Sequence, residues 1–289
     1  MNTIEIKNLK KSYGKVLAVD DVSFEIKKGE VLGFIGPNGA GKSTTIRCIM
    51  NMLKFDGEIK INNKNIQEKD FLYKENIGYL PSETSLYEEM NVIEMLEYSA
   101  GFYKKDCSKK IKELVEYLEI PADKKIEDLS LGNTKKVGIV IALMHEPNIL
   151  ILDEPTSGLD PLMQEKFYEL IIREKEKGTT IFFSSHLLSE VKRICDRIAI
   201  IKNGKIIEIK NTDEFGNEML KVKVETDESF KLNKFENLNI LSDSNGSIEA
   251  SYKGDINELI KLLSEINIKK LIIEEPSIEE LFFHYYEGE

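Results

Sequence analysis

A chain of 289 residues with 41% hydrophobic and 31% charged side chains has the balance of an ordinary globular protein, long enough for one large domain and a smaller one. Its net charge of −11 argues against general affinity for nucleic acid or anionic lipid, since both call for a basic surface. No apolar run approaches the roughly 18 to 20 residues of a membrane-spanning helix.

The start, Met1-Asn2-Thr3-Ile4-Glu5, has neither the basic region nor the apolar stretch of a signal peptide, so the chain is expected to be cytoplasmic. Cys48, Cys107 and Cys195 are scattered, without a C-x-x-C pair, and read as buried, idle thiols. Alternation at Ile4-Glu5-Ile6 and again over Val22 to Ile26 predicts two strands. After a Lys28-Gly29 turn, Val31 to Ile35 is nearly all apolar, the pattern of a strand buried in a parallel sheet. A glycine-rich loop and a helix over Ser43 to Leu53 follow. The middle, about Glu83 to His145, is expected to be mainly helical. Val92, Met95, Leu96 and Ser99 recur at helical spacing, as do Ile111, Leu114, Val115 and Leu118.

Strands resume at Ile149 to Leu152, Thr179 to Phe183 and Ile198 to Ile201, with helix-like segments between them. Strand alternating with helix implies a parallel, helix-covered sheet. Asn203-Gly204, between two apolar runs, predicts a hairpin turn that closes this domain. From about residue 211 the pattern changes. Leu220 to Val224 alternates like a half-exposed strand, and Ile256, Leu259, Ile260 and Leu263 mark an amphipathic helix with Asp255 and Glu258 as its capping box. A second box, Ser277 to Glu280, opens a final helix through Leu281 and Phe282. The expected organisation is a domain over residues 1–210, with a helical subdomain at about 83–145, and a small α+β domain over 211–289.

Gly36-Pro37-Asn38-Gly39-Ala40-Gly41-Lys42-Ser43 fits the phosphate-binding pattern G-x-x-x-x-G-K-[ST], set between a buried strand and a helix. Its glycines let backbone N–H groups turn toward phosphate oxygens, and the helix N-terminus adds partial positive charge. Lys42 is expected to reach the β- and γ-phosphates and Ser43 to bind Mg²⁺; Thr44 is counted with the phosphate-binding residues. Ile149-Leu150-Ile151-Leu152-Asp153-Glu154 ends a buried strand in two carboxylates. Asp153 there suits the Mg²⁺ shell, and Glu154 suits orienting and deprotonating the attacking water.

With these motifs in place, residues 3 to 210 resemble the nucleotide-binding domains of ABC transporters. The resemblance implies a P-loop ATPase with a mixed sheet, N-terminal antiparallel strands and a helical subdomain, binding ATP and Mg²⁺. Tyr13 then matches the aromatic residue that stacks on adenine. Leu129-Ser130-Leu131-Gly132-Asn133 stands at the place of the LSGGQ signature, Ser157-Gly158-Leu159-Asp160 at the D-loop, and His186 at the switch histidine that contacts the γ-phosphate. Two departures stand out. The signature carries Leu131 and Asn133 in place of Gly and Gln, with Lys136 where many relatives have Arg. The Q-loop, Gly78 to Glu83, has Ser82 where Gln is expected, leaving Ser82 or Glu83 as the metal-side residue.

Because one subunit's signature completes another's site, the resemblance implies a two-site sandwich in which Ser130, Gly132 and Asp160 serve the nucleotide of a partner. A homodimer is the simplest assembly, a heterodimer with a related ATPase the alternative. The tail, with Glu275 to Phe282, resembles the small C-terminal domain of bacterial drug, antibiotic and peptide exporter ATPases. Together these imply the motor of an exporter, peripheral on the inner face of the plasma membrane through a separate transmembrane permease, with no nucleic acid partner. The rival reading is a soluble ABC ATPase acting on a cytoplasmic partner.

Overall fold

A computed structural model describes residues 2–66, 71–214, 220–227, 237–244 and 246–274. The chain opens on a ribbon of two long antiparallel strands, β1 (Asn2–Tyr13) and β2 (Val16–Lys27), followed by β3 (Val31–Ile35), every residue of which is buried. The glycine-rich loop leads into α1 (Lys42–Ile49). This helix stops short of Leu53 because Asn51 sits in the left-handed region at φ 50°, a conformation that ends helices. Then come β4 (Asp56–Ile61), β5 (Lys64–Asn65) and β6 (Ile77–Leu80).

The middle holds α2 (Val92–Ala100), α3 (Ser108–Tyr117) and α4 (Leu131–Leu143). It starts later than expected, since residues 81–91 are turns and loop. The start is set by a capping box in which Asn91 accepts from Glu94 N and the Glu94 side chain accepts from Asn91 N. Val92, Met95, Leu96 and Ser99 are buried, as the spacing predicts; of the second set Ile111, Leu114 and Leu118 are buried and Val115 is half-buried. The chain continues through β7 (Ile149–Asp153), α5 (Pro161–Glu176), β8 (Thr180–Ser185), α6 (Leu188–Ile194), β9 (Arg197–Lys202) and β10 (Lys205–Asn211). Asn203 and Gly204 both have positive φ, the turn geometry that joins β9 to β10.

Two sheets result. One is β2-β1-β4-β5; the other has six strands in the order β10-β9-β3-β8-β7-β6. Within the second, β9, β3, β8, β7 and β6 run parallel to one another. α1 packs against both β2 and β7. The core between them is closed by Phe24, Phe34 and Phe182, whose ring centroids lie 5.2–5.6 Å apart. Burying side chains such as Ile46 and Ile49 on α1 contributes about 1.5–3 kcal/mol each. All three cysteines are free and buried, and burial pushes the Cys48 thiol up to about 11, which suppresses the reactive thiolate.

The chain divides into two compact units, Met1–Ile209 and Lys210–Glu289. The second holds β11 (Leu220–Thr226), β12 (Leu238–Ser244), β13 (Ser247–Tyr252), α7 (Ile256–Leu263) and β14 (Ile268–Glu274), with an antiparallel sheet in the order β12-β13-β11-β14. Its core joins Val222, Val224, Ile248 and Tyr252 to Leu259 and Leu263 of the helix. Two expectations need correction. Ile256 and Ile260 are exposed, so the helix buries a narrower face than its four apolar residues suggest. Asp255 caps α7 by accepting from Asn257 N at 2.7 Å, not through a box with Glu258. The second box, Ser277 to Glu280, and the helix through Phe282 lie outside the described residues.

α4 approaches β6 so closely that a Cβ on Gly78 would lie 2.0 Å from the Ala142 carbonyl oxygen and 2.6 Å from Leu150 Cδ2. A backbone carbonyl cannot step aside as a flexible side chain can. Gly78→Ala is therefore expected to cost about 1–3 kcal/mol, read as a lower midpoint in urea unfolding followed by circular dichroism. An unchanged midpoint would contradict this packing of α4 on β6.

Candidate functional site

The candidate residues gather at the carboxyl ends of adjacent parallel strands. Ile35 of β3 is in register with Ser185 of β8, Ser184 with Asp153 of β7, and Leu152 with Leu80 of β6. The segments leaving these strands carry Gly36 to Ser43, His186, Glu154 and Ser82-Glu83 respectively. Open parallel sheets bind ligands along this edge, because successive chain segments diverge there.

The glycine-rich loop is shaped by contacts that admit little but glycine. Gly41 has φ 108°, and a Cβ on it would lie 2.6 Å from the carbonyl oxygen of Ala18 on β2. Lys42, the first residue of α1, is buried, and its Nζ donates to Gly36 O at 2.7 Å and Pro37 O at 3.2 Å. The ammonium also lies 3.2 Å from Glu154 Oε1. The other oxygen of that carboxylate, Oε2, is 2.7 Å from His186 Nδ1. An ionised carboxylate only accepts, so Nδ1 carries the proton in this contact and leaves Nε2 to face other groups. Lys42, Glu154 and His186 thus form one continuous polar chain. Ser43 and Thr44 are half-buried in the first turn of α1, and Asn38 and Gly39 are exposed at the tip of the loop, between half-buried Pro37 and buried Ala40.

Glu154 is held from behind. Its φ of 48° is a left-handed conformation that costs a non-glycine residue about 1–2 kcal/mol. The backbone N–H of Glu154 donates to Ser184 O at 3.2 Å and to Ser184 Oγ at 3.1 Å, while Ser184 Oγ donates to Asp153 Oδ1 at 2.7 Å. The remaining oxygen, Asp153 Oδ2, is buried with no hydrogen-bond partner. An orphaned carboxylate oxygen beside a hydroxyl-bearing helix start has the donor chemistry that a hard divalent cation takes. Burial raises the pKa of nearby Tyr79, and the Asp153 charge raises it further.

The other predicted residues stand apart from this chain of contacts. Tyr13 ends β1, half exposed, with Lys11 Nζ 5.2 Å from its ring centroid. It belongs to the same ribbon that meets the glycine-rich loop at Ala18. Ser130 is the N-cap of α4, accepting from Asn133 N at 3.3 Å, and Asp160 is the N-cap of α5, accepting from Met163 N at 3.0 Å. Gly132 abuts the D-loop segment: a Cβ there would lie 2.8 Å from Gly158 O. Glu83 is exposed, and the Ser82 carbonyl accepts from Lys135 Nζ at 2.7 Å.

Sequence reading passed over three residues at this edge: Ser184, which braces Asp153 and Glu154, Lys135, and Glu190. Glu190 is buried and accepts from Thr156 Oγ1 at 2.6 Å, from Tyr168 OH at 3.0 Å and from Ser185 Oγ. It therefore ties the segment after Glu154 to the residue before His186. The available signal was a charged residue four positions after His186, in a short helix whose apolar residues Leu188, Val191 and Ile194 recur every third position.

The model of the family described as "ABC transporter" matches residues 19–157, and a model described as "AAA domain, putative AbiEii toxin, Type IV TA system" matches residues 125–191. The chain is 34% identical over 290 residues to the uncharacterized ABC transporter ATP-binding protein YhcH of Bacillus subtilis, covering 96% of this chain and 94% of that one. It is 34% identical over 303 residues to the linearmycin resistance ATP-binding protein LnrL of the same organism, covering 97% of each. Among solved structures, the dimeric post-hydrolysis state of the ATP-binding cassette MJ0796 bound to ADP and Pi matches with a TM-score of 0.67 and 27% identity, over 72% of this chain and 98% of that one. Full-length likeness to such relatives, on a sheet whose edge gathers the phosphate loop and the carboxylate pair, places the chain in the ABC transporter ATP-binding protein family, as an ATPase.

Proposed function

We propose that the chain is the ATP-hydrolysing motor of an exporter, working in pairs beneath a separate transmembrane permease. The observation that carries this reading is the continuous contact from Lys42 through Glu154 to His186, which joins a phosphate-binding cation, a general base and a second polar group at one strand edge. ATP enters with Tyr13 on the adenine and the backbone of residues 36–41 around the phosphates. Lys42 turns from the Gly36 and Pro37 carbonyls to the β- and γ-phosphates. Ser43 and Oδ2 of Asp153 would hold Mg²⁺, with Ser82 or Glu83 as the further candidate; when bound, the ion would neutralise phosphate charge. With Lys42 engaged by phosphate, Glu154 is free to accept a proton from water, and His186 Nε2 faces the γ-phosphate. The strain at Glu154 fits this role, since unfavourable backbone geometry persists where surrounding contacts over-determine it.

Ser130 and Asp160 are the N-caps of α4 and α5, and Gly132 lies in the first turn of α4. That placement supports a sandwich in which they serve the nucleotide of a second subunit, as helix N-termini serve anions. Among the described residues no helix is long and apolar enough to cross a membrane; the proposed motor is attached to the inner face of the plasma membrane through its permease. Likeness to LnrL and to the probable multidrug ABC transporter ATP-binding protein YbhF of Escherichia coli, at 36% identity over 217 residues, supports export of a drug-like or antibiotic-like compound. The unit from Lys210 onward is proposed as a small domain that supports or regulates the pair.

Glu154→Gln keeps the size of the side chain and removes the base. Steady-state turnover is expected to fall by about 10²- to 10⁴-fold, with nucleotide affinity retained in a titration with a fluorescent ATP analogue. Near-normal turnover would remove Glu154 from the role.

The paired arrangement makes a second, separate prediction. Specific ATPase activity should rise with protein concentration, and Glu154→Gln with ATP should elute as a dimer on size exclusion. Concentration-independent activity from a chain that stays monomeric with ATP would refute the sandwich.

A further inference from the structure

The helix that begins at Ser130 is bound to the loop after β6 by more than apolar packing. On α4, a Cβ added to Gly138 would lie 2.8 Å from Leu80 Cδ1 and 3.0 Å from the Thr84 side chain, so the helix touches both the end of β6 and the loop beyond it. One turn toward the helix start, on the same face, Lys135 is only 3% exposed. Its Nζ donates to Pro81 O at 3.1 Å and to Ser82 O at 2.7 Å.

A buried ammonium is costly unless its protons are taken up by acceptors. Here two consecutive carbonyls of one loop take them. Burial pushes the Lys135 pKa down, while the charges of Asp153 and Glu154 push it up, so both carboxylates lie close enough to act on this cation. Ser130 precedes Lys135 by five residues, about 7.5 Å along the axis at 1.5 Å per residue. A rigid helix segment therefore runs from the exposed cap to the loop beside the carboxylates.

We propose that Lys135 is a positioning residue of the ATPase: its ammonium clamps the Pro81 and Ser82 carbonyls to α4, so that the helix start at Ser130 and the loop leaving β6 move as one body, with a fixed positive charge within reach of Asp153 and Glu154. This rests on the ATPase reading of the Lys42–Glu154–His186 site and adds to it how a displacement at the Ser130 face reaches the carboxylates. Lysine suits the task because its single charged nitrogen can donate to both carbonyls at the end of an apolar stem that packs along the helix.

The test compares the full chain with Lys135→Met, which keeps the stem and removes the charge, and Lys135→Arg, which restores a cation with several donors. Lys135→Met is expected to lower kcat by about 10- to 10²-fold, the scale of a misplaced catalytic group, with affinity for a fluorescent ATP analogue retained. Lys135→Arg is expected to recover most of that loss. Hydrogen exchange read by mass spectrometry gives a measure independent of turnover: amides of residues 82–86 should exchange about tenfold faster in Lys135→Met and not in Lys135→Arg, because local opening of the loop becomes easier. Unchanged kcat together with unchanged exchange in Lys135→Met would overturn the proposal. So would equal loss of nucleotide binding and melting midpoint in both variants, which marks a merely structural lysine. Failure of the ATPase reading itself would appear as a wild-type chain without turnover, and the exchange comparison would then decide the clamp alone.

Discussion

Everything at the site depends on the parallel register of β3, β8 and β7. A parallel pair has one register that aligns its hydrophobic faces, and a slip of one residue would turn every side chain to the opposite face. With Ile35 opposite Ser185 and Ser184 opposite Asp153, the phosphate loop, the carboxylate pair and His186 leave the sheet at the same height. Ser184 uses this alignment directly. Its one hydroxyl accepts from Glu154 N and donates to Asp153 Oδ1, so a single side chain on the neighbouring strand fixes both carboxylate residues. The apolar runs that bury β3, β7 and β8 thus set the positions of polar atoms a few residues further on.

The electrostatics are arranged around one cation that has two sets of partners. Opposite charges about 4 Å apart attract by roughly 4 kcal/mol at an effective dielectric of 20, and removing one member of a buried pair costs about 3–5 kcal/mol. Lys42 is buried, so it is stable here only because Gly36 O, Pro37 O and Glu154 surround it. Under the proposed mechanism a triphosphate offers the same ammonium stronger partners and releases Glu154. Glu154 has little freedom to follow, since its backbone is held at positive φ by Ser184. What changes is which cation the carboxylate faces. Lys135 is a second cation within electrostatic reach of both carboxylates, and its ammonium is held by the backbone carbonyls of Pro81 and Ser82.

Most of the large unit was legible because its parallel strands are short, apolar and bounded by turn residues, and because the glycine-rich loop falls between a strand and a helix. What the sequence concealed were contacts across the fold. Ser184 reads as an ordinary residue at a strand end until β7 lies beside β8. Lys135 sits one turn before Gly138, and nothing local shows that both face β6. The mainly helical stretch expected from about Glu83 begins only at Val92, where Asn91 and Glu94 form the capping box, because residues 81–91 are turns and loop. In the smaller unit the error ran the other way. Four apolar residues at helical spacing imply a wide buried face, whereas a single helix lying on a four-stranded sheet buries Leu259 and Leu263, with Leu262 partly buried beside them, and leaves Ile256 and Ile260 exposed.

The departures at the signature take on a physical meaning once their surroundings are known. Leu131 is 75% exposed, an apolar side chain at the start of α4, and its atoms lie 3.2–3.3 Å from the position a Cβ would take on Gly158. It covers the D-loop segment of its own chain on the side that, in the proposed sandwich, meets the second subunit. A glycine there would leave Gly158 open. Leucine closes that gap and presents apolar surface, which is worth about 25 cal/mol per Å² when a partner removes it from water. Gly132, by contrast, has little room to change, because a Cβ there would lie 2.8 Å from the backbone oxygen of Gly158. The two adjacent positions are therefore under different constraints: Gly132 is confined by backbone of its own chain, whereas Leu131 touches Gly158 and leaves three quarters of its surface exposed.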